Sequence, residues 1–356
     1  MFKRNKHTNY YEYPPQKNNV TTSLGAIRKS NIELLRVVLM FMILFLHANY
    51  LSFDTPNLTN DGYIGCGLRT IAESLCNVAV DVYVLISGFF GIKFKRKGLL
   101  SLLYQVTFFS LIVLIVNIIL GNHDITMFSE QLIPGSAYWF VVSYIGLYIL
   151  SPVLNTFVES VSKKTFRDIL CTYLAFVYIY GFIMGKGSFT GGYSLLSFIA
   201  LYMIARYVRL YPNRFTSFNK STDLGIYLII SSLIAVLLYA ITILTPGVLL
   251  SVQGRLLAYH NPLTMIAAVY FLLFFSKLEF TSKTVNFIAA SSFAVYLLHC
   301  NDHSISYYKK GLIHIVDYLQ PAPAFVSVLF YAIAVYSLAI ALDQIRIITW
   351  EKINKI

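Results

Sequence analysis

The sequence predicts an all-α protein: a polytopic transmembrane helical bundle of about ten helices, with both termini cytoplasmic. Three observations predict it. Of the 356 residues, 57% are apolar and only 12% are charged, far from the make-up of a soluble domain. Apolar runs long enough to cross a bilayer recur along the chain. The cations between those runs alternate in density from one gap to the next.

The runs fall near 32–51, 72–92, 99–120, 137–155, 166–185, 191–209, 223–244, 260–277, 284–300 and 322–347. The eighth and ninth are short. Turn residues fill the gaps: Pro56, Gly121-Asn122, Pro134-Gly135, the stretch from Gly185 to Gly192, Pro212, Pro246-Gly247, Pro321 and Pro323. With the N-terminus inside, 23 of the 28 lysines and arginines fall on the inner side. The other five, Arg69, Lys186, Arg255, Lys309 and Lys310, fall outside. One missed or invented helix would scramble this alternation. Residues 1–30 read as a disordered basic cytoplasmic tail lacking the apolar core of a signal peptide. Residues 31–347 form the membrane domain, and 348–356 a short cytoplasmic tail.

The net charge of +12 does not signal nucleic-acid binding, because the cations sit in short loops between spans. Cys66, Cys76, Cys171 and Cys300 lack CxxC spacing and read as free packing residues, with an outer Cys66–Cys300 bridge as the alternative. Apart from His7, the histidines gather at outer ends and loops: His47, His123, His260, His299, His303 and His314. Groups that move protons near neutral pH are therefore collected on one side. No internal repeat suggests the paired halves of many transporters.

The first run, NIELLRVVLMFMILFLHANYL, carries Glu33, Arg36 and His47 among apolar residues. Ionisable side chains in a bilayer helix are costly without a partner, so they are functional candidates. Arg36 and His47 are eleven positions apart, about three turns, which puts them on one face ~16 Å apart along the axis. Glu33 lies one turn before Arg36 and is its economical structural partner. In the second run Glu73, Asn77 and Asp81 form an i, i+4, i+8 stripe. Asp81 reads either as a partner for a buried arginine or hydroxyl, or as a catalytic group. Ser87-Gly88 allows close helix approach. The following Lys93, Lys95, Arg96 and Lys97 read as a topological anchor or as a phosphate site.

Arg36-x10-His47 followed by VDVYVLISGFFG resembles the integral-membrane acyltransferase 3 family, whose members O-acylate cell-surface polysaccharides and related glycans. Two later stretches fit: Tyr138-Trp139-Phe140 with YIGLYILSPVLN (Tyr144–Asn155), and SSFAVYLLHCN (Ser291–Asn301). The resemblance spans roughly residues 28–347. It implies a membrane O-acyltransferase of a bacterial-type plasma or inner membrane. The donor would be acetyl-CoA or another cytoplasmic acyl-CoA, and the acceptor a glycan or lipid-linked sugar at the outer face. It carries functional weight onto Arg36 and His47, with Glu33 and Asp81 as further candidates. Many members have Arg-x-x-Arg after the ISGF stretch; Lys93-x-x-Arg96 is the nearest match here, and lysine lacks the bidentate fork of arginine.

His47 fits as the base that acyl transfer to a hydroxyl requires. Trp139 reads as an interfacial anchor, with sugar stacking as the alternative. His299 and His303, beside Asp302, have a metal-like spacing, but no third or fourth ligand can be named and no metal is expected. The competing function is a transporter or flippase for a glycan or lipid precursor. A glycan polymerase or ligase would carry larger, arginine-rich outer loops. The acceptor sugar and the oligomeric state cannot be read from the residues.

Overall fold

The computed structural model describes residues 30–122, 124–185, 190–244, 254–320 and 323–353. The tail through residue 29, His123, Lys186, Pro246-Gly247, Pro321 and Lys355 lie outside the described residues. Every regular element among the described residues is helical. Seven helical segments are long and apolar enough to cross a membrane. The chain is thus a multi-pass membrane protein.

The first segment is α1 (Asn31–Leu46), continued by a wider π-helical turn over His47–Ser52. Its start is fixed by Asn31, whose side-chain amide donates to the Phe275 carbonyl at 3.1 Å. Ile32, Leu35, Leu39, Met40, Ile43 and Leu44 make its buried face, spaced as a 3.6-residue helix requires. The second segment is α2 (Leu58–Cys76) and α3 (Ala79–Phe90), parted at Asn77-Val78. The run expected at 72–92 therefore starts earlier and is broken. Polar residues hid its first turns from hydropathy. Arg69 Nη1 bonds both Asp61 oxygens at 2.8 and 2.9 Å, and Arg69 Nε bonds Asn49 Oδ1 at 2.9 Å. That network satisfies what the bilayer would not.

Helix α3 is the centre of the bundle: Val80, Val82, Val84, Leu85 and Ile86 are all buried. It packs on α1, on α8 (Leu195–Leu210) and on α10 (Pro262–Ser276). Gly88 permits the closest approach. A β-carbon there would lie 2.5 Å from the Tyr202 carbonyl oxygen of α8, so the small residue is needed for α3 and α8 to touch.

Around this centre stand α4 (Arg96–Ile119), α6 (Trp139–Ser160), α7 (Lys163–Phe176, with a π turn over Val177–Ile183), α9 (Lys220–Leu244) and α14 (Ala324–Ile353). They turn Ile115, Ile119, Val153, Ile229, Val236 and Phe330 outward, the pattern of a lipid-facing surface. Pro152 lies inside α6 and cannot donate to the Tyr148 carbonyl; Ser151 Oγ donates to it instead at 2.7 Å.

Three expected spans are short. Helices α8 and α10 have 16 and 15 residues. The ninth run divides at Ser291 into α11 (Lys283–Ala290) and α12 (Ser292–His299). Ser291 Oγ donates to Asp343 Oδ2 of α14 at 2.9 Å, and Asp343 is paired with Arg346 at 2.8 Å. A buried ion pair thus braces the break. Arg346, read from sequence only as an inner-side cation, is part of the packed interior.

Two amphipathic helices escape a search for spans. Helix α5 (Ile125–Leu132) buries Met127 and Gln131, and α13 (Ile305–Tyr318) buries Tyr308 and Leu312. Each pair is spaced i, i+4 and covers one face. All four cysteines are free, so no Cys66–Cys300 bridge forms.

Candidate active site: a histidine pair on an aromatic cavity

His47 ends the regular part of α1 and opens its π turn. Ser52 Oγ donates to the His47 carbonyl at 2.6 Å, and Asn49 bridges to Glu73 Oε2 at 2.9 Å. These contacts hold the widened turn and, through it, the imidazole. Its partner comes from far along the chain: His47 Nδ1 lies 3.0 Å from His299 Nε2 at the end of α12. His299 Nδ1 lies 2.6 Å from the Val295 carbonyl oxygen one turn back.

The acceptors assign the protons. A carbonyl can only accept, so His299 Nδ1 carries hydrogen. Neutral His299 then presents a lone pair at Nε2, and His47 Nδ1–H donates to it. Neutral His47 is left with its lone pair on Nε2. The pair is thereby a relay with one basic nitrogen.

His47 borders a small cavity of about 70 Å³. Met40 and Ile43 of α1, and Val80 and Tyr83 of α3, form one wall. Trp139 and Phe140 of α6, with Tyr193, Tyr259, Phe293 and Tyr296, form the rest, and Cys300 closes it beside the histidines. The Trp139 ring stacks on Tyr259 at 6.0 Å and meets the Tyr193 edge at 4.4 Å. Trp139 therefore stands in the cavity wall, packed among rings.

Arg36 lies one helical turn beyond Met40. Its Nη1 is 2.8 Å from Glu33 Oε1, with the arginine side chain 35% exposed and the glutamate 7%. The expected Glu33–Arg36 pairing is present. Tyr83, which lines the cavity, donates to the Arg36 carbonyl at 2.7 Å. The α1 face running Arg36, Met40, Ile43, His47 thus borders the cavity along its middle and ends in a cation at one end and the histidine pair at the other.

Asp81 departs from one of its expected roles. It is fully buried, and neither carboxylate oxygen has a hydrogen-bond partner among the described residues. Among the described residues no arginine or hydroxyl hydrogen-bonds to it, although Tyr178 and Tyr259 lie within electrostatic reach. Consecutive helical residues diverge by about 100°, and Asp81 is not among the residues that line the cavity beside Val80. The stripe it shares with Glu73 and Asn77 does not act as a unit: Glu73 binds Asn49, while Asn77 donates to the Leu257 carbonyl at 3.1 Å.

Lys93 and Arg96 are exposed at the Arg36 end of the bundle. The connector that carries them is clamped. Tyr202 Oη accepts from the Ile92 N–H at 3.1 Å and donates to Asn155 Oδ1 at 2.7 Å. Asn155 Nδ2 donates to the Ile92 carbonyl at 2.8 Å, and Tyr148 Oη lies 3.2 Å from the Lys95 amide nitrogen. Tyr148 and Asn155 belong to the YIGLYILSPVLN stretch, so that stretch fixes the segment following ISGFFG.

At the opposite rim, His303 Nε2 is 2.6 Å from Glu130 Oε2 of α5, and Gln131 and Asn301 exchange two hydrogen bonds of 2.9 Å. Hydrogen bonds from Thr126 hold the Asp124 carboxyl below the usual carboxylate range, whereas burial pushes that of Asp302 up. His299 and His303 have separate partners because α12 ends between them. Among the described residues no group of three or more His, Cys, Asp or Glu is placed to hold a metal.

Sequence periodicity found Glu33, Arg36 and His47 because they share one helix. It missed the role of His299, whose partner is 252 positions away. A histidine closing a short apolar helix, at the same expected membrane level as His47, was the available signal.

A comparison with known proteins gives the family. The family model described as "Acyltransferase domain", acyltransferase 3, matches residues 29–343. Neither the curated proteins nor the solved structures contain a match. The matched segment includes α1, the connector after α3 and the histidine pair, and covers most of the chain: this protein belongs to the acyltransferase 3 family of membrane acyltransferases.

Proposed function

We propose that the protein moves an acyl group, acetyl in the simplest case, from a cytoplasmic acyl-CoA to a hydroxyl of a cell-surface or lipid-linked glycan. The acceptor stands at the outer face of a bacterial-type plasma membrane. The observation that carries this reading is the His47–His299 pair at one end of a cavity whose α1 wall continues to Arg36. A thioester donor is long, and α1 sets a cation and a base about three turns apart on one face, with aromatic side chains lining the space beside the base.

In this reading His47 Nε2 takes the proton of the acceptor hydroxyl as its oxygen bonds to the acyl carbon. The carbon–sulfur bond breaks and CoA leaves as the thiolate, which is then protonated. The charge gained by His47 is shared through Nδ1–H with His299, whose own Nδ1–H is anchored on Val295. His299 thus holds His47 in the productive tautomer, the part an orienting acid plays in other relays. Arg36 orients the donor, and the exposed Lys93 and Arg96 draw its phosphates to the cytoplasmic mouth. The aromatic walls keep water from the thioester.

Membranes containing the protein, incubated with labelled acetyl-CoA, should pass label into glycan. Mass spectrometry of surface polysaccharide from cells with and without the protein then gives the acceptor. Glycan without label in active, well-inserted membranes would refute the proposal.

A further inference from the structure

We propose that Arg206 is the half-buried anchor for the phosphate groups of the donor, a role no sequence motif assigned to it. This rests on the reading of the protein as an acyl-CoA-dependent transferase. Arg206 projects from the last turns of α8 onto the connector after α3. Gly91, with φ of +73°, leaves room for it: a β-carbon there would lie 3.0, 3.4 and 3.9 Å from Nη1, Cζ and Nε of the guanidinium. The guanidinium therefore rests against bare backbone at the end of the ISGFFG stretch.

Its neighbours do not neutralise it. Arg206 Nε is buried and has no hydrogen-bond acceptor among the described residues. The described ion pairs give carboxylates to Arg36, Arg69, Arg167, Arg346 and Lys277, and none to Arg206. The Tyr202 hydroxyl is near enough to feel its charge, but that oxygen is engaged with Ile92 and Asn155. A half-buried guanidinium with an unmatched Nε–H and no carboxylate paired to it among the described residues is placed to take an anion.

The position suits the donor. Tyr144 lies within electrostatic reach of both Arg36 and Tyr202, and Ser87 is 3.2 Å from its hydroxyl. Arg36, Tyr144, Tyr202 and Arg206 thus follow one another from the cavity's cationic end to the connector. A planar guanidinium binds phosphate through paired N–H groups, which a lysine cannot do. Here the second fork, which Lys93 cannot give, is supplied from another helix, with Lys93 and Arg96 at the rim. Phospholipid headgroups carry the same chemistry, so the test must separate them from the donor.

The full chain in uncharged maltoside micelles is titrated with acetyl-CoA and with acetyl-pantetheine, which lacks the nucleotide phosphates. Wild type should prefer acetyl-CoA. Arg206→Gln should shrink that preference tenfold or more, Arg206→Lys should shrink it less, and Lys93→Gln with Arg96→Gln less than Arg206→Gln. Adding phosphatidylglycerol should compete only weakly with acetyl-CoA. An intact preference in Arg206→Gln overturns the proposal and leaves Arg206 as a cation complementing the end of α8. Equal loss for both ligands, or Arg206-dependent binding of phosphatidylglycerol in place of acetyl-CoA, overturns it too. If wild type binds no acetyl-CoA, the acyl-CoA reading itself falls, a result distinct from normal wild-type binding with an indifferent Arg206→Gln.

Discussion

His299 has two jobs in this site, and substitutions separate them. It accepts the His47 Nδ1 proton, and it is itself fixed by Val295. His299→Ala removes the acceptor and frees the His47 ring; misplacing a reacting group costs about 10²-fold in turnover. His299→Gln keeps an amide oxygen able to accept from Nδ1, so part of the rate should return. Donor affinity should change little in either variant, since the pair is remote from Arg36. Turnover and acetyl-CoA affinity measured side by side check this, and equal rates for Ala and Gln would deny the orienting role. At this scale the sequence showed what one helix holds together. Glu33 and Arg36 pair as the three-residue spacing requires. Asp81 read as a partner for a buried arginine or hydroxyl, or as a catalytic group, and has no hydrogen-bond partner among the described residues, because sequence spacing cannot tell which helix will face a carboxylate.

Elements were legible where hydropathy alone decides them and obscure where buried polar contacts do. The break at Ser291 depends on Asp343 and Arg346, 52 positions or more away in sequence. Asp343→Asn leaves Arg346 facing an uncharged amide in a packed site. The loss of one member of a buried pair costs about 3–5 kcal/mol. Thermal unfolding in detergent should show a clear drop, and Asp343→Asn with Arg346→Met should recover part of it. The clamp on the connector gives a second case. Tyr202→Phe deletes the hydroxyl that serves both Ile92 and Asn155. Leaving the buried Ile92 N–H unsatisfied costs about 1–3 kcal/mol, and the half-buried Asn155 less. Limited proteolysis at the Lys93–Lys97 segment should accelerate, and unaltered cleavage would show that the clamp does not hold it. Helices α5 and α13 went unforeseen because each is too short to span and buries only one narrow face.

For the molecule as a whole, we propose from the charge bias that both termini face the cytoplasm. Single cysteines at Asn122 and Ser217, in a background without the native four, test it: Asn122→Cys should react with an impermeant reagent from outside and Ser217→Cys should not. The reverse pattern would invert the topology and put the histidine pair on the cytoplasmic side. The central claim is that His47 is the base of a transmembrane acyl transfer. Its most direct measurement is label transfer from acetyl-CoA to glycan by membranes holding wild type or His47→Ala at matched expression and insertion. The account predicts that His47→Ala still binds acetyl-CoA but loses about 10²–10⁴-fold in transfer, the usual worth of a positioned base. Transfer at the wild-type rate by a well-inserted His47→Ala protein would contradict it.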